Sequence, residues 1–543
     1  MKNLTKESSI NKVRIVLFQT ALNILKVFLL LISGYLGYTG IRYSYYSSKS
    51  YSEMIYIITD SAVFHILVFT ILSFLLALFL LLWRIFLRRF NQEKICRIVL
   101  FLACVWLTAM GLFYLKDHPY YPEGDQLNVA AGALYARSGD YSMFARGGYI
   151  GLYEQQKGLV FLYEIFFTLF GDLCFPIVEY CNLCFMIATL VFGFYFLKFI
   201  AGKAIYRIIY CFMMMFCIPY IIYLPYAYGD LPSICFNVIL FWAIAAYRDK
   251  CQKRYVFIGA VAASLALLTR TGSSIALIAV GIGMVLFAME KISFRPLLAA
   301  LCIIIVAWGS VKAVDRMYEY RSGLESGIGI PKILWIAMGL QETNGNPGVY
   351  NRYQQSVYEE CGFEQEPAIQ IGRQYISDRF KEFLGNPAYA RYFFTVKVKR
   401  QWLEPLFEGL YATNTFREEE DIPNRFTELY YGDVHDSVWN FANNYQSVIY
   451  ISFLFFAISS FSRKQKDSIT VVGWIPLIAV VGGFLFCIIW ESQCRYMLPY
   501  YIFVIIYAAV GMGKTVERIC WGILRISEKI KVRTKMSKDD HKA

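Results

Sequence analysis

The sequence predicts an all-α polytopic membrane protein, and three observations support this prediction. Of the 543 residues, 57% are hydrophobic and only 17% are charged, whereas about a quarter are charged in an ordinary soluble domain. The mean hydropathy is +0.45. Apolar stretches long enough to cross a bilayer recur along most of the chain. These observations exclude a soluble globular enzyme, a disordered chain and a domain anchored by a single span.

The apolar stretches predict a bundle of about 12 transmembrane helices, each near the length that a bilayer requires. The first stretch is too long for the apolar region of a signal peptide and has no clear cleavage site, so we expect it to be retained. In chain order the predicted spans are 15–38, 62–86, 97–115, 173–198, 205–223, 229–247, 255–270, 273–290, 296–313, 447–461, 469–490 and 497–513.

Lys and Arg residues cluster in alternate connections, which predicts the orientation of the chain. Positive charges favour the cytoplasmic side, so we expect both termini in the cytoplasm of a plasma-membrane protein. Segment 314–446 carries 19 acidic and 13 basic residues and is predicted to be a soluble extracytoplasmic insert. The basic connections are 84–97, 198–207, 248–254, 291–295, 463–466 and the tail after residue 514.

Segment 157–171 is apolar but short. At 1.5 Å per residue it covers about 22 Å, less than the hydrocarbon core of about 30 Å. We interpret it as an interfacial or re-entrant helix on the outer face, and a count of 13 spans stays open. The predicted parts are two additional N-terminal transmembrane helices (1–96), a membrane module (97–313) with a first outer loop (116–156) and this helix, the insert (314–446), C-terminal transmembrane helices (447–513) and a basic cytoplasmic tail (514–543).

The first candidate for chemistry is Asp125, in the outer loop that follows the third span. It begins an amphipathic pattern whose apolar positions are Leu127, Ala130, Ala131 and Leu134, which predicts a helix with one buried face. A carboxylate at a helix N-terminus is held ionised by the helix dipole and can accept a proton from a hydroxyl group. The alternative is a helix cap.

Asp230 and Arg270 are predicted at the outer ends of spans. An acid at membrane depth is costly unless it faces a polar cavity or a partner, although Asp230 could also cap the helix that follows. The guanidinium of Arg270 could bind phosphate oxygens bidentately. The alternative for Arg270 is a side chain that extends to water.

Two more basic residues are predicted on the same side of the membrane. Arg495 precedes Tyr496 in the outer turn between the last two spans, and Lys157 opens the interfacial helix. A helical ion pair between Glu491 and Arg495 is the alternative for the first, and a solvated loop lysine is the alternative for the second.

Together, two carboxylates and three cations are predicted on one face of the membrane. This set suits a reaction on a lipid-phosphate substrate, with a carboxylate as general base and cations that bind the leaving phosphate. The four histidines and 14 cysteines argue against a His-built metal site and for buried thiols. No cofactor is required by this set, and a divalent cation stays an open alternative.

The order of these motifs resembles the GT-C superfamily of polyprenyl-phosphate-sugar-dependent glycosyltransferases. It is most similar to bacterial proteins of the family-39 type, which include protein mannosyltransferases and lipid A aminoarabinose transferases. The resemblance runs from about Phe101 to Gly513. It is based on Asp125, the helix end Ser138-Gly139-Asp140, and the segments QQKGLVFLYEIFFTLFGD, YGDLP, LLTRTG and ESQCRYMLPYY.

The resemblance implies a GT-C-like bundle and an inverting hexosyl or pentosyl transferase on the outer face. Such an enzyme moves a sugar from a polyprenyl-phosphate carrier to an envelope glycan, lipid or protein. It implies catalytic roles for Asp125 and Asp230, and phosphate binding by Lys157, Arg270, Arg495 and Tyr496. The chain departs from the family pattern because Gly124 separates Glu123 from Asp125, which weakens a role for Glu123 or for a metal.

Aromatic residues of the insert are candidates for the acceptor side, because aromatic rings stack on sugars. They are Trp335, Tyr350 and Trp402, and packing in the insert core is the alternative. Two other functions stay open. A transporter or lipid flippase would have paired repeats and broken helices near the middle of the membrane, and a polysaccharide polymerase would not depend on Asp125. The donor sugar, the acceptor and the oligomeric state are left open, and no nucleic-acid partner is expected.

Overall fold

The computed structural model describes residues 2–47, 55–86, 91–325, 327, 329–414, 422–462 and 469–540. It confirms an all-α polytopic membrane protein. Among these residues, ten helical segments are long and apolar enough to cross a membrane. They are Asn11–Gly40, Ala62–Leu82, Gln92–Leu115, Glu154–Ile200, Asp230–Lys250, Thr271–Lys291, Arg295–Ser322, Asp433–Ser459, Val471–Ile489 and Cys494–Lys529.

The individual helices and strands have the following bounds. Those of the first half are α1 (Lys2–Gly40), β1 (Tyr43–Ser47), β2 (Ile55–Thr59), α2 (Ala62–Phe86), α3 (Gln92–Leu115), α4 (Asp125–Ser138), α5 (Tyr149–Leu152), α6 (Lys157–Phe170), α7 (Cys174–Ile200), α8 (Ala204–Met215), α9 (Ile218–Ile222), α10 (Asp230–Lys250), α11 (Lys253–Thr269) and α12 (Ser274–Lys291). Those of the second half are α13 (Arg295–Ser322), α14 (Lys332–Gly339), β3 (Glu342–Thr343), β4 (Asn346–Pro347), α15 (Tyr353–Glu360), α16 (Gln365–Gly385), α17 (Pro387–Trp402), α18 (Gly409–Ala412), α19 (Asn424–Tyr430), α20 (Asp433–Ser459), α21 (Ile475–Ile489) and α22 (Leu498–Asp540).

Two of the twelve predicted spans are not among these ten segments. The segment predicted at 205–223 forms α8, with 12 residues, and then the separate short helix α9. Pro219 lies in the first turn of α9, and a proline cannot continue a preceding helix because its ring excludes the helical conformation before it. The segment predicted at 255–270 forms α11, which has 17 residues.

The short helix predicted at 157–171 is confirmed as a separate element. α6 ends at Phe170, and Gly171 adopts φ +55° before α7 begins at Cys174. α6 packs against α4 and α11. Its location outside the bilayer remains a prediction. The basic residues at 463–466 and at 88–89 lie outside the described residues, so their predicted side of the membrane remains a prediction too.

α22 forms the centre of the bundle. From Tyr501 to Val510 every residue is at most 1% exposed, which is typical of a helix with neighbours on all sides. It packs against α2, α8 and α20. By contrast, α13 presents Leu298, Leu301 and Ile305 as exposed side chains, as expected of a helix that faces lipid.

The insert is smaller than predicted because the flanking helices extend into it. α13 continues to Ser322 and α20 begins at Asp433. Between them, α14 to α17 contribute to two small apolar clusters, α18 and α19 contribute to a third, and a two-stranded antiparallel ribbon, β3–β4, connects α14 to α15. A second antiparallel ribbon, β1–β2, joins the two N-terminal helices. The Tyr45 amide in this ribbon donates a hydrogen bond to the Leu403 carbonyl at 3.0 Å.

Candidate active site

Asp125 is the first residue of α4, as predicted, and it is exposed. Its side chain does not cap the helix, because Gly124 occupies the cap position and no side-chain cap bond is present there. Instead, the Tyr149 hydroxyl donates to Asp125 Oδ1 at 2.8 Å. The carboxylate is therefore oriented by a phenol from α5 and remains accessible.

The buried face of α4 differs from the predicted one. Leu127 and Leu134 are 38% and 42% exposed, whereas Ala130 and Ala133 are at most 1% exposed. Small residues allow α4 to approach α6 closely. The predicted buried face is confirmed at Ala130 and wrong at Leu127 and Leu134.

Gln126 attaches α4 to the turn that precedes α10. This side chain is 5% exposed. Its Oε1 accepts from the Tyr120 hydroxyl and from the Ala227 amide, the latter at 2.9 Å. Because Gln126 follows Asp125 directly, these bonds fix the position of the carboxylate relative to the 226–230 turn.

Asp230 lies at the start of α10 and is 1% exposed. Its side chain makes no helix cap. Oδ1 lies 3.0 Å from Nη2 of Arg270, and the buried Oδ2 has no hydrogen-bond partner in the part of the chain that the structure describes. The structure therefore brings Asp230 and Arg270 together. Asp230 does not cap α10, and the side chain of Arg270 pairs with Asp230 and does not simply extend to water.

Gly229 allows this pair to form. It adopts φ +82°, and a Cβ there would lie 2.5 Å from the Thr269 carbonyl oxygen. The left-handed backbone and the close approach both require glycine. They place the N-terminus of α10 directly against the C-terminus of α11. Asp230 therefore lies beside Arg270.

Gly229→Ala is expected to destabilise the protein, with a cost of about 1–3 kcal/mol from the backbone conformation alone. The Cβ contact adds to this cost because only a shift of α10 away from α11 relieves it. The measurement is the melting temperature of the purified protein in detergent. Gly272→Ala is the control, since a Cβ at Gly272 has no neighbour within 4 Å. Equal melting temperatures for the two variants would contradict this account.

Arg270 and Arg495 lie against the same aromatic rings. The guanidinium carbon of Arg270 is 5.0 Å from the Tyr228 centroid and 5.9 Å from that of Tyr496. The corresponding distances for Arg495 are 5.3 and 5.8 Å. Arg495 also donates from Nη1 to the Tyr226 hydroxyl, and among the described residues its Nε has no hydrogen-bond partner. Two half-buried cations thus lie against the same two rings, and Asp230 lies within ion-pair distance of Arg270.

Tyr496 has a different partner from the one that the sequence suggested. Its hydroxyl donates to Glu491 Oε2 at 2.9 Å. Residues 491–493 are not helical, and a 3-10 turn begins only at Cys494, so Glu491 and Arg495 are not one helical turn apart. The alternative of a helical ion pair between them is therefore wrong. The turn instead places Tyr496 beside Arg270, and Arg495 beside Tyr228.

Lys157 lies beside this cluster but is paired elsewhere. It is 5% exposed, and its Nζ lies 2.9 Å from Glu154 Oε1. Glu154 also accepts from the Gly327 amide at 2.7 Å. The neighbouring residue Gln156 makes the contact with the cluster, because its Nε2 donates to the Tyr228 hydroxyl at 2.6 Å.

Of the three aromatic candidates of the insert, Trp335 and Tyr350 lie near Tyr153, and Trp402 lies apart from them. Trp335 stacks on Trp490 with centroids 5.8 Å apart, and Tyr350 is 36% exposed. Tyr153 lies between this region and Asp125, with its ring 6.0 Å from that of Trp335. Trp402 is 1% exposed, so it belongs to the packed interior and offers no face to a sugar.

Sequence reasoning missed the phenols that connect the charged residues. Burial, followed by the charge of Asp125, holds the pKa of Tyr228 well above its usual value. Burial is also the largest cause of the raised pKa of Tyr149, ahead of Tyr228 and Asp125. Both phenols are therefore protonated at neutral pH and can donate. The one available signal was the pair of tyrosines in the segment YAYGDLP.

Comparison with known families gives one match, which covers most of the chain. The sequence model of a family described as "Conserved hypothetical integral membrane protein" matches residues 16–516. The chain belongs to this family. A search of curated proteins returned no match. The family assignment confirms a multi-pass integral membrane protein, and the matched region includes α2 and most of α1, so the two N-terminal helices belong to the region that the family shares.

Proposed function

We propose that this protein is an integral-membrane glycosyltransferase that moves a sugar from a polyprenyl-phosphate carrier to an envelope acceptor. One observation carries the proposal: two half-buried arginines lie against the rings of Tyr228 and Tyr496, on the same side of the protein as an exposed carboxylate that a phenol orients. The order of the sequence motifs, which resembles the GT-C superfamily, supports the same function. We also propose that the site faces the outside and that both termini are cytoplasmic.

The arginine pair supports an anionic ligand. A charge removed from water is costly unless it is paired. Arg270 pairs with Asp230, whereas Arg495 donates to the Tyr226 hydroxyl, and among the described residues the Nε of Arg495 has no hydrogen-bond partner. This free donor favours a bound anion. A phosphate group fits because guanidinium binds its oxygens through two parallel hydrogen bonds.

Asp125 supports the role of general base. A base must reach the proton that it removes, and Asp125 is the exposed acid of the site, whereas Asp230 is buried in its ion pair. In the proposed reaction, the oxygen of an acceptor hydroxyl forms a bond to the anomeric carbon and gives its proton to Asp125. The bond from that carbon to the carrier phosphate breaks, and the electron pair leaves with the phosphate, whose charge Arg270 and Arg495 stabilise. The single displacement inverts the anomeric carbon.

Asp230 then has a different role from the one that the resemblance implied. Its contact with Arg270 at 3.0 Å keeps that guanidinium in place against Tyr228. We propose that Asp230 positions the cation, and that it does not exchange a proton with the substrate.

The acceptor is proposed to approach along aromatic residues that begin at Tyr149. The rings of Tyr149 and Tyr153 are 4.8 Å apart, and Trp335 follows at 6.0 Å from Tyr153. Tyr350 lies near Tyr153 and, after burial, contributes to the raised pKa of that phenol. Such a surface can stack on sugar rings, and it leads to the carboxylate that would take the acceptor proton.

The first test is mass spectrometry of the envelope glycans of a deletion strain and of the same strain with the gene restored. We expect one sugar substituent to be absent in the deletion strain and present after restoration, because a transferase adds a single unit. Unchanged glycans in the deletion strain would contradict the proposal. Loss of a whole polymer, or accumulation of its finished lipid-linked precursor, would instead favour a polymerase or a transporter.

A further inference from the structure

A groove lies along the first turns of α3, at the end of this helix that is farther from the loop of Asp125. It has a volume of about 450 Å³ and is lined by Asn91, Lys94, Arg97, Ile98 and Phe101. These residues recur at intervals of three or four, so they share one face of the helix. Ile98 and Phe101 are 48% and 66% exposed. The α3 groove therefore has a polar end with two cations and an apolar end.

The α3 groove lies where a span passes from the membrane surface into hydrocarbon. α3 has 24 residues, or about 36 Å at 1.5 Å per residue, and the hydrocarbon core is about 30 Å thick. Helical side chains lean toward the helix N-terminus, and long basic side chains extend to the interface. We therefore expect the charges of Lys94 and Arg97 at the depth of lipid headgroups. Phe101 lies one turn deeper than Arg97.

The acid nearest to these cations in the sequence is occupied on another face of α3. Glu93 accepts two hydrogen bonds from the Arg207 guanidinium, at 2.7 and 3.1 Å, and one from Lys198 at 3.2 Å. Arg97 reaches only the main-chain carbonyl of Glu93, at 3.4 Å. Among the described residues, Lys94 and Arg97 form no ion pair. The polar end of the groove thus carries two positive charges that no carboxylate compensates there.

We propose that the α3 groove binds one anionic glycerophospholipid of the surrounding membrane. The headgroup phosphate lies between Lys94 and Arg97, whose side chains donate to its oxygens, and one acyl chain lies along Ile98 and Phe101. Basic pockets at the ends of membrane helices recognise anionic headgroups in this way. A free phosphate would use only the polar end, whereas a lipid matches both ends in their observed order along the helix. The site shares no residue with the proposed transfer reaction.

The test is native mass spectrometry of the delipidated full-length protein in a neutral detergent, with phosphatidylglycerol as the probe. We expect the wild type to retain one phosphatidylglycerol at concentrations at which phosphatidylcholine with the same acyl chains is lost, because only phosphatidylglycerol has a net negative charge. The double variant Lys94→Gln with Arg97→Gln should bind this lipid at least about tenfold more weakly, since both cations that attract the headgroup are removed.

A matched control removes the same two charges outside the groove. Lys291 and Arg295 lie at the end of α12 and the start of α13, and both are exposed. The variant Lys291→Gln with Arg295→Gln should retain phosphatidylglycerol as the wild type does. Equal losses in the two double variants would indicate a general charge effect and would overturn the proposal, as would equal retention of phosphatidylglycerol and phosphatidylcholine by the wild type.

Two further measurements address the apolar end of the groove. Phe101→Ala should weaken phosphatidylglycerol binding several-fold, because it removes apolar surface that the acyl chain covers. Glycerol 3-phosphate has the phosphate without acyl chains, and it should not raise the melting temperature at concentrations at which phosphatidylglycerol does. An equal rise with glycerol 3-phosphate would indicate a site for a free phosphate ester and would overturn the lipid assignment. If the double variant does not assemble, Phe101→Ala decides, and its unchanged retention of phosphatidylglycerol would contradict the proposal.

Discussion

Asp125→Asn is expected to abolish sugar transfer, with a rate loss of about 100- to 10,000-fold, the range found for removal of a general base. Asparagine has nearly the same shape and can still accept the hydrogen bond from Tyr149, but it cannot take a proton. The measurement is the transferred sugar in envelope glycans, determined by mass spectrometry in the deletion strain that expresses the variant. The amount of protein in the membrane should equal that of the wild type, because Asp125 is exposed and carries no packing.

Glu123→Gln is the matched control for this variant. Glu123 lies two residues before Asp125 and is also exposed, so the two substitutions remove the same kind of charge from the same loop. Near-normal transfer by the Glu123 variant is expected. Full activity of Asp125→Asn would contradict the assignment of the base, and equal losses in both variants would indicate a general charge effect at this surface.

Arg495→Gln is expected to weaken donor binding. Arg495 is the second guanidinium against Tyr228 and Tyr496, and among the described residues its Nε has no hydrogen-bond partner. The substitution removes the positive charge and the donors that favour an anion at this position. Hydrogen bonds to charged groups contribute about 1.5–3 kcal/mol each, so affinity for a polyprenyl phosphate should fall at least about tenfold.

The measurement is the rise in melting temperature that polyprenyl phosphate causes in detergent, because a ligand of the native state stabilises it. Arg146→Gln is the control, since Arg146 is exposed and forms a surface ion pair with Glu364 at 3.0 Å. The control should keep the full rise. A rise of normal size in Arg495→Gln would contradict the phosphate site, and a strongly reduced melting temperature without ligand would indicate that Arg495 acts in packing.

Helix positions were largely predictable from the sequence because the bilayer imposes a simple rule. Backbone polar groups in lipid must be satisfied within each span, so a long apolar stretch predicts a helix. The break at Gly171 was also predictable from length. The short α8 was not predicted, since the apolar character of the segment continued through Pro219 and hid the end of the helix.

The buried face of α4 was mispredicted at its two leucines. In water, the largest apolar side chains turn inward, and the positions of Leu127 and Leu134 favour a buried leucine face. In the structure the alanines are buried and these leucines are exposed. The sequence pattern carries no information about which solvent surrounds the helix at its outer face.

The sequence by itself determined the class of the protein, the positions of most helices and the candidates Asp125, Asp230, Arg270 and Arg495. These follow from composition and from the high cost of charge near lipid. The tertiary structure decided which of them meet. Arg495 contacts Tyr226 across 269 residues of sequence, and Asp125 contacts Tyr149 across 24. Such contacts depend on how helices pack side by side, and packing is set by shape complementarity between distant segments, which local sequence patterns do not encode.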